Sequence, residues 1–420
     1  MVIWLIIFQR LHAKGTLAVA VRELLTGPVG AWVHAPEGAP QEEPLSANTS
    51  AYSQARSKLP LEAAQQVSQE IFQSLYQKQP TVLPELDRPL FLLDGSTILT
   101  AHTPALVQAY PPPRNQHGAA HWPAMRVMVA HDVDSGLATP PCWGPLDGLQ
   151  AVSEPGLTKE IMGRLPAGCV ILGDRNLGVF SVAYHAKQHQ HPCLLRLTQA
   201  RAQKVYGEGM PPASKTDQAI RWSPSREDLR NNPEIPRAAS VDGRLLAIKV
   251  RDARGKWQKL CFFVACLDLA PAQILKLYGY RWRIETDLRS LKREVRLHMI
   301  HAKSPAMVDK KLVLGVAAYN LIRATMSQAA AALHLDARQS SFSLTQDTIN
   351  AFMPAFANAG SHPERQDLMD QMLRVLAQST LPRRRKRRSA PRTIWPRPCP
   401  FPKRKVAAKR KAAKATKGVA

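Results

Sequence analysis

Two aspartates follow short apolar runs in the middle of the sequence. Asp94 comes directly after the run over residues 89–93, and Asp174 comes directly after the run over residues 169–173. Continuous apolar runs of this length are typical of buried strands. A carboxylate at the end of such a strand is costly to desolvate unless a cation compensates it. Carboxylates suit Mg²⁺ as ligands, although either aspartate alone can equally be a turn or cap residue.

A third carboxylate lies in a strongly basic segment, residues 278–292. An α-helix turns about 100° per residue, so a continuous helix over this segment would carry one narrow charged face. The residues on that face are Tyr278, Arg281, Glu285, Lys292 and, close beside them, Arg289. Asp287 would point in the opposite direction, and we expect its replacement by asparagine to be close to neutral. A solvated charged stripe with i,i+4 ion pairs is the alternative interpretation.

The three carboxylates together predict a two-metal centre. In such a centre carboxylates hold Mg²⁺ ions, which activate a nucleophile and stabilise the leaving oxygen of a phosphodiester.

Changes in sequence pattern indicate the elements that would position these residues. Residues 1–80 have helical periodicity, 88–179 combine short apolar runs with a helical stretch, 180–268 are β-rich, and the chain is helical again after Pro271. This order predicts a mixed α/β sheet covered by helices. We interpret Asp132 and Asp134 as turn residues, and Asn320 as a structural hydrogen-bonding group in an apolar helix.

The spacing Tyr-x2-Arg-x3-Glu-x6-Lys resembles the signature of bacterial DDE insertion-sequence transposases of the IS-four group. It is filled here by Tyr278, Arg281, Glu285 and Lys292. Five further segments look like the same family, and the resemblance spans most of residues 1–400. These segments are residues 93–96 and 172–175 around the two aspartates, 303–308 and 318–323 downstream of the glutamate, and 9–25 near the N-terminus.

The resemblance implies an RNase-H-like fold whose mixed sheet, with flanking helices, is interrupted by a β-rich insertion. It implies that Asp94, Asp174 and Glu285 are both the catalytic residues and the ligands of two Mg²⁺ ions, with Mn²⁺ as a substitute. The DNA-binding candidates are Tyr278, Arg281, Lys292, Arg289 and Arg175. The implied activity is cleavage of DNA at insertion-sequence ends and strand transfer into target DNA.

The partners implied are double-stranded DNA, as the inverted repeats of the element ends and as target, and a second copy of the chain in a synaptic homodimer. A cytoplasmic protein, associated with the nucleoid when bound to DNA and not with a membrane, is expected. Two alternatives stay open: a metal-dependent RNase-H-like nuclease without strand transfer, and a catalytically inactive DNA-binding remnant. The second arises because the chain begins almost at the family's first recognisable helix, which predicts a shortened end-recognition region.

We predict six regions. They are a helical N-terminal DNA-binding region (1–87), the first part of the catalytic domain (88–179), the insertion (180–268), the second part with the glutamate helix (269–335), a C-terminal helical region (336–380) and a basic tail (381–420).

Charge and composition agree with a nucleic-acid partner. The 420 residues include 57 lysines and arginines against 32 acids, a net charge of +25, and residues 381–420 carry 16 of these cations and no acid. Such a tail repels itself and is expected to be disordered when free, serving either as a phosphate-binding arm or as a solubilising tail. The longest apolar run, residues 2–8, is far shorter than the roughly 20 residues that span a bilayer. The six cysteines form no CxxC pair, as expected of reduced cytosolic thiols.

Overall fold

In the part of the chain that the structure describes, nine strands form one mixed sheet. This computed structural model describes residues 1–12, 15–26, 47–78, 83, 85–116, 118–207, 209–210, 216–252, 255–332 and 335–379. These residues belong to a unit that runs from Met1 to Leu381, and Pro382–Ala420 is assigned to a second unit. The predicted basic tail lies outside the described residues.

The longest central strand is β1 (Leu90–Thr100), and it has neighbours on both sides. On one side β4 (Ala124–Asp132) pairs with it antiparallel, and β5 (Cys142–Pro145) pairs antiparallel with β4. On the other side β6 (Val170–Gly173) runs parallel to β1, and β7 (Cys193–Leu197) runs parallel to β6. The mixed sheet, with the order β5-β4-β1-β6-β7, confirms the predicted RNase-H-like fold class.

The predicted β-rich insertion continues this sheet. Its strands are β8 (Thr216–Trp222), β9 (Val241–Arg251) and β10 (Trp257–Ala265), in the order β7-β10-β9-β8. The α/β pattern persists beyond residue 180, through α7 (Phe180–Gln188), β7 and α8 (Gln199–Tyr206). The strand over 193–197, which the sequence pattern assigned to the insertion, therefore belongs to the central sheet, because it pairs parallel with β6.

The helices cover the sheet and surround one long buried helix, α12 (Pro305–Ala331). Pro305 occupies its first turn, where the missing N–H costs nothing, and α12 packs on α1 (Val2–Leu11) and α4 (Leu61–Gln77). The other helices are α2 (Leu17–Thr26), α3 (Thr49–Lys58), α5 (Pro104–Ala109), α6 (Glu154–Met162), α9 (Arg226–Asn231), α10 (Pro271–Gly279), α11 (Trp282–Arg289), α13 (Phe342–Asn358) and α14 (His362–Gln378).

Four short elements complete the description. They are a hairpin of β2 (Arg114–Asn115) and β3 (Gly118–Ala119), a π-helix (Ser290–Glu294), β11 (Met299–Ile300) and a 3₁₀-helix (Ala337–Gln339). Strand β11 adds to the far end of β1, where Leu99 pairs with Met299. Among the described helices, none combines the length and apolar character needed to cross a membrane.

Candidate active site

Asp94 and Asp174 lie next to each other at one edge of the β1–β6 pair. The two strands run parallel, and Leu92 pairs with Leu172 as the last residue pair before both aspartates. The prediction that β1 ends at Asp94 is wrong, because pairing with β4 continues through Asp94 to Leu99. The pairing of β1 with β6 ends at Leu92, so Asp94 lies just beyond the last residue pair between these two parallel strands. The prediction that Asp174 directly follows a buried strand is correct.

The electrostatics of this pair are unfavourable without a cation. The pKa of Asp94 is raised to about 7, first by burial and then by the negative charges of Asp174 and Glu154. The backbone N–H of Gly95, which donates to Asp94 Oδ1 at 2.8 Å, and the charge of Arg281 oppose this shift only in part. Since a bound divalent cation would reverse the balance, the two carboxylates have the donor chemistry that a metal ion requires.

Asp174 also caps the turn that leads into α7. Its Oδ1 accepts hydrogen bonds from the backbone N–H groups of Asn176 at 2.8 Å and Leu177 at 3.3 Å. The turn interpretation therefore describes the structure correctly, and it does not exclude the metal interpretation. A side chain held by two backbone donors on one oxygen is oriented in advance, which favours ligand binding by the other oxygen.

Glu154, in the first turn of α6, is an acid at this site that sequence analysis missed. A Cβ atom at Gly95 would lie 2.5 Å from Glu154 Cγ, so a side chain at position 95 would force Glu154 to move from its place beside β1. Arg126 on β4 partly balances it, with Nη1 3.6 Å from Glu154 Oε1. The capping hydroxyl of Ser153, which accepts from Gly156 N, marks the start of a helix. Nothing in the sequence indicates that this helix begins next to Asp94.

The prediction that residues 278–292 form one continuous α-helix is wrong. Helix α10 ends at Gly279, residues 280–281 form a turn, α11 begins at Trp282, and from Ser290 the backbone is π-helical. A π-helix contains more residues per turn than an α-helix. The angular argument therefore holds for Arg281 and Glu285, which are one turn apart, and fails for the two ends of the segment.

Tyr278, at one end of the segment, is a core residue. The residue is 8% exposed, and its ring meets Phe262 edge to face, with 4.9 Å between ring centroids. Its hydroxyl accepts a hydrogen bond from Arg196 Nη1 at 3.1 Å. Tyr278 thus holds an arginine of β7, and this arginine was not identified from the sequence.

The middle of the segment is held by an ion pair. Arg281 Nη2 lies 3.2 Å from Glu285 Oε1, and the Glu285 side chain is 41% exposed. Because the charge of Arg281 also lowers the pKa of Asp94, this arginine connects the glutamate electrostatically to the aspartate pair. Among the described residues, no group of three or more His, Cys, Asp and Glu side chains is arranged to hold a metal ion. The structure brings Asp94 and Asp174 together, whereas Glu285 is bonded to Arg281.

The remaining cations differ in exposure. Arg175 and Arg289 are exposed, and Arg175 lines a cleft of about 400 Å³ together with Arg196 and Lys259. Lys292 is half-buried in the π-helix, and its pKa is lowered, first by burial and then by the positive charge of Arg293.

Asp287 lies on the opposite side of α11 from this ion pair and is completely buried. Its carboxylate accepts from Arg323 Nη2 at 2.5 Å, and from Arg338 Nη1 at 2.8 Å and Nη2 at 3.0 Å. Burial by itself raises the pKa of Asp287, but the charges of Arg323 and Arg338 outweigh it and hold the pKa below its usual value. The expectation that Asp287→Asn is close to neutral is therefore wrong, because the buried Arg323 and the partly buried Arg338 both depend on this carboxylate.

The same network attaches α11 and α12 to the turn after β4. Arg338 also donates to the carbonyl oxygen of Val133, and the Asn320 side chain exchanges two hydrogen bonds with the backbone of Ala138, at 2.8 and 2.7 Å. Asp132 accepts from the backbone and hydroxyl of Ser135. Both Asn320 and Asp132 therefore have the structural roles predicted for them.

Residues 85–321 match the protein family described as Transposase DDE domain. The chain is also similar to the transposase InsG for insertion sequence element IS4 of Escherichia coli (strain K12). The two are 24% identical over 327 residues, which is 74% of this chain and 69% of that protein. Among solved structures, Kluyveromyces polysporus Argonaute with a guide RNA aligns with 67% of this chain at 12% identity and a TM-score of 0.18. The alignment spans 32% of that chain.

Proposed function

The chain belongs to the family of transposases with a DDE domain, and on that premise we propose that it cuts an insertion element out of DNA and joins it to a target. In this proposal the chain cleaves double-stranded DNA at the element's inverted repeats, then transfers the freed 3′ ends. The observation that carries it is the Asp94–Asp174 pair, in which burial and then the charge of Asp174 raise the pKa of Asp94 to about 7. We assign Asp94, Asp174 and Glu285 as ligands of two Mg²⁺ ions.

Bound there, Mg²⁺ or Mn²⁺ would stabilise charge on a phosphodiester and make water a better nucleophile. The protein itself would bring Glu285 to the two aspartates when DNA binds. Arg281 holds Glu285 at 3.2 Å in the DNA-free protein, and a phosphate offers this guanidinium a competing bidentate partner. DNA binding would thus take Arg281 and release Glu285, so that the third carboxylate becomes available only when substrate is present.

DNA contacts in this proposal come from Arg281, Lys292, Arg289 and Arg175, with Tyr278 acting through the hydrogen bond that holds Arg196. The active assembly would be a homodimer that brings two element ends together. The overall charge of +25 favours DNA as the partner, since each cation placed on a phosphate releases condensed counterions.

Joining of a pre-cut element end to plasmid DNA by the purified full-length protein, with Mg²⁺, tests this function. Inverted repeats in the DNA flanking the gene would supply the end sequence. Strand-transfer products are expected. Mg²⁺-dependent nicking without any joined product would instead identify a nuclease, and DNA binding without nicking would identify an inactive remnant.

Arg281→Ala and Lys292→Ala should each slow end cleavage by about ten- to a hundredfold, because a charged hydrogen bond to phosphate is worth about 1.5–3 kcal/mol. Arg293→Ala is the matched control, since Arg293 is the exposed neighbour of Lys292 in the same π-helix. Single-turnover cleavage by each variant, with folding checked by thermal melting, measures the effect. An equal loss in Arg293→Ala, or none in the other two variants, would contradict the assignment.

Deletion of residues 383–420 should weaken binding to all DNA sequences alike. The segment carries the 16 cations of the basic tail and no acid, and each phosphate contact contributes about −0.9 to the slope of log affinity against log salt. Titrations of one duplex at several salt concentrations, with full-length and shortened protein, measure that slope. An unchanged slope would mean that the tail does not touch DNA.

A further inference from the structure

A cavity of about 280 Å³ beside the N-terminal helix is lined by five basic side chains. They are Arg10 of α1, Arg296, His298 and His301 of the segment around β11, and Lys311 of α12. None of the described side chains that line this cavity is a carboxylate. We call it the basic cavity. It is separate from the aspartate pair, and neither the fold nor the proposed chemistry accounts for so much positive charge at one point.

Hydrogen bonds to backbone carbonyl oxygens hold two cations of the basic cavity in place. Arg10 Nη1 donates to the carbonyl oxygen of Arg296 at 3.3 Å, and Arg296 Nη2 donates to the carbonyl oxygen of Gln9 at 3.3 Å. Arg296 has a φ of 58°, a left-handed conformation that is uncommon for residues other than glycine. The Gln9 side chain is fixed in turn by Tyr52 and by the carbonyl oxygen of Gly15, both at 2.9 Å. The two guanidinium groups are thus oriented in advance on a rigid wall.

This arrangement has an electrostatic cost in the free protein. Burial, followed by the charges of Arg10 and Arg56, lowers the pKa of Lys311 to about 8. Burial and the charge of Arg296 lower the pKa of Arg10 to about 10. Strongly perturbed groups that converge on one cavity are typical of binding sites, since an anion there would relieve the repulsion. Structural sites more often pair such cations with acids.

We propose that the basic cavity binds one phosphate group of the DNA backbone, away from the scissile phosphate. The proposal rests on the proposed function, because it takes DNA as the partner. Met299 lines the cavity and pairs with Leu99, five residues beyond Asp94 on β1, which is about 17 Å along a strand. At 3.4 Å per base pair, the phosphate would lie about five base pairs from the one at Asp94. Arg10 of the N-terminal helix would be one of the residues that contact this phosphate.

The basic cavity is also coupled to the signature segment. The backbone N–H and the Nδ1 atom of His298 both donate to the carbonyl oxygen of Lys292, at 3.0 and 2.9 Å. His298, which lines the basic cavity, is thus hydrogen-bonded to the backbone of Lys292. One DNA strand could therefore contact Lys292 and then the cavity.

Lys311→Met tests the proposal, because two measurements should move in opposite directions. Affinity for a 20-bp duplex of mixed sequence, measured without divalent metal, should fall about tenfold, and the salt slope should become shallower by about 0.9. The melting temperature should rise, since a partly buried cation repelled by Arg10 and Arg56 has been removed. Arg10→Gln should show the same loss of affinity. The matched control is Arg374→Gln, an exposed arginine of α14, which should change neither quantity.

Inorganic phosphate, compared with chloride at equal ionic strength, separates DNA from a free anion. We expect phosphate to raise the melting temperature of the wild type more than that of Lys311→Met. If phosphate stabilises only the wild type but Lys311→Met and Arg10→Gln bind DNA normally, the cavity holds a free anion and the proposal is wrong. Unchanged DNA affinity and no phosphate effect also overturn it. In both cases wild-type cleavage and joining would leave the proposed function standing, whereas a wild type that does not bind DNA would overturn both.

Discussion

Asp94→Asn, Asp174→Asn and Glu285→Gln should each reduce DNA cleavage by about a thousandfold or more. Metal ions contribute several kcal/mol to stabilising the charge of the transition state, and each 1.36 kcal/mol is a tenfold change in rate. DNA affinity without metal should not fall. The substitutions remove negative charge and leave the cations in place, so phosphate binding is preserved while the chemistry is lost.

The measurement is single-turnover cleavage with Mg²⁺ and with Mn²⁺, beside DNA binding in the absence of both. Glu294→Gln is the matched control for Glu285→Gln, since it removes an acid from the adjoining π-helix and should leave cleavage close to wild type. Glu285 gives the most informative result because it is bonded to Arg281. If Glu285→Gln cleaves normally while both aspartate variants are inactive, Glu285 is not a ligand, and its role ends with the ion pair.

Asp287→Asn should destabilise the protein by about 3–5 kcal/mol, the usual cost of breaking a buried ion pair by removing one partner. Asp287 is fully buried between Arg323 and Arg338, and asparagine would leave both guanidinium groups without a counter-charge. With an unfolding entropy of about 2.1 cal/mol/K per residue, this corresponds to a melting temperature lower by about 5 °C. Denaturant titration and thermal melting measure the two quantities.

Asp134→Asn is the control for this substitution, because Asp134 is half-exposed and lies 4.0 Å from Arg283. It should change stability by less than about 1 kcal/mol. The pKa of Asp287 is lowered in the folded protein, so its contribution is complete above the unfolded pKa of about 3.9 and is lost as the pH falls through the folded value. A variant as stable as the wild type at neutral pH would show that the two arginines have other compensation.

The family, the fold class and the order of the two aspartates could be predicted because each depends on local pattern. A short apolar run bounded by turn residues indicates a buried strand, and the Arg-x3-Glu spacing needs only one helical turn. The predicted face spanning residues 278–292 failed beyond that turn. Its geometry assumes an unbroken α-helix, and the chain instead turns at 280–281 and becomes π-helical at Ser290.

The misjudged residues depend on contacts between distant parts of the chain. The sequence around Asp287 suggests an ordinary surface acid. In the fold it is paired with Arg323 and Arg338, which are 36 and 51 residues away in the chain. Glu154 can lie beside β1 because Gly95 has no side chain. Local periodicity contains no information about such pairings, because they are set by how the helices pack on the sheet.

The pairing of Asp287 with Arg323 and Arg338 also affects when the active site can form during synthesis of the chain. Asp94 and Asp174 leave the ribosome early, but Arg338 is made roughly 240 residues after Asp94, which at about 5–20 residues per second is roughly 12–50 s later. Until then the buried Asp287 of α11 has Arg323 but not Arg338 as a counter-charge. A nascent or prematurely terminated chain would therefore carry the aspartate pair without a firmly seated glutamate helix. Competence to cut DNA would be withheld until Arg338 has been made.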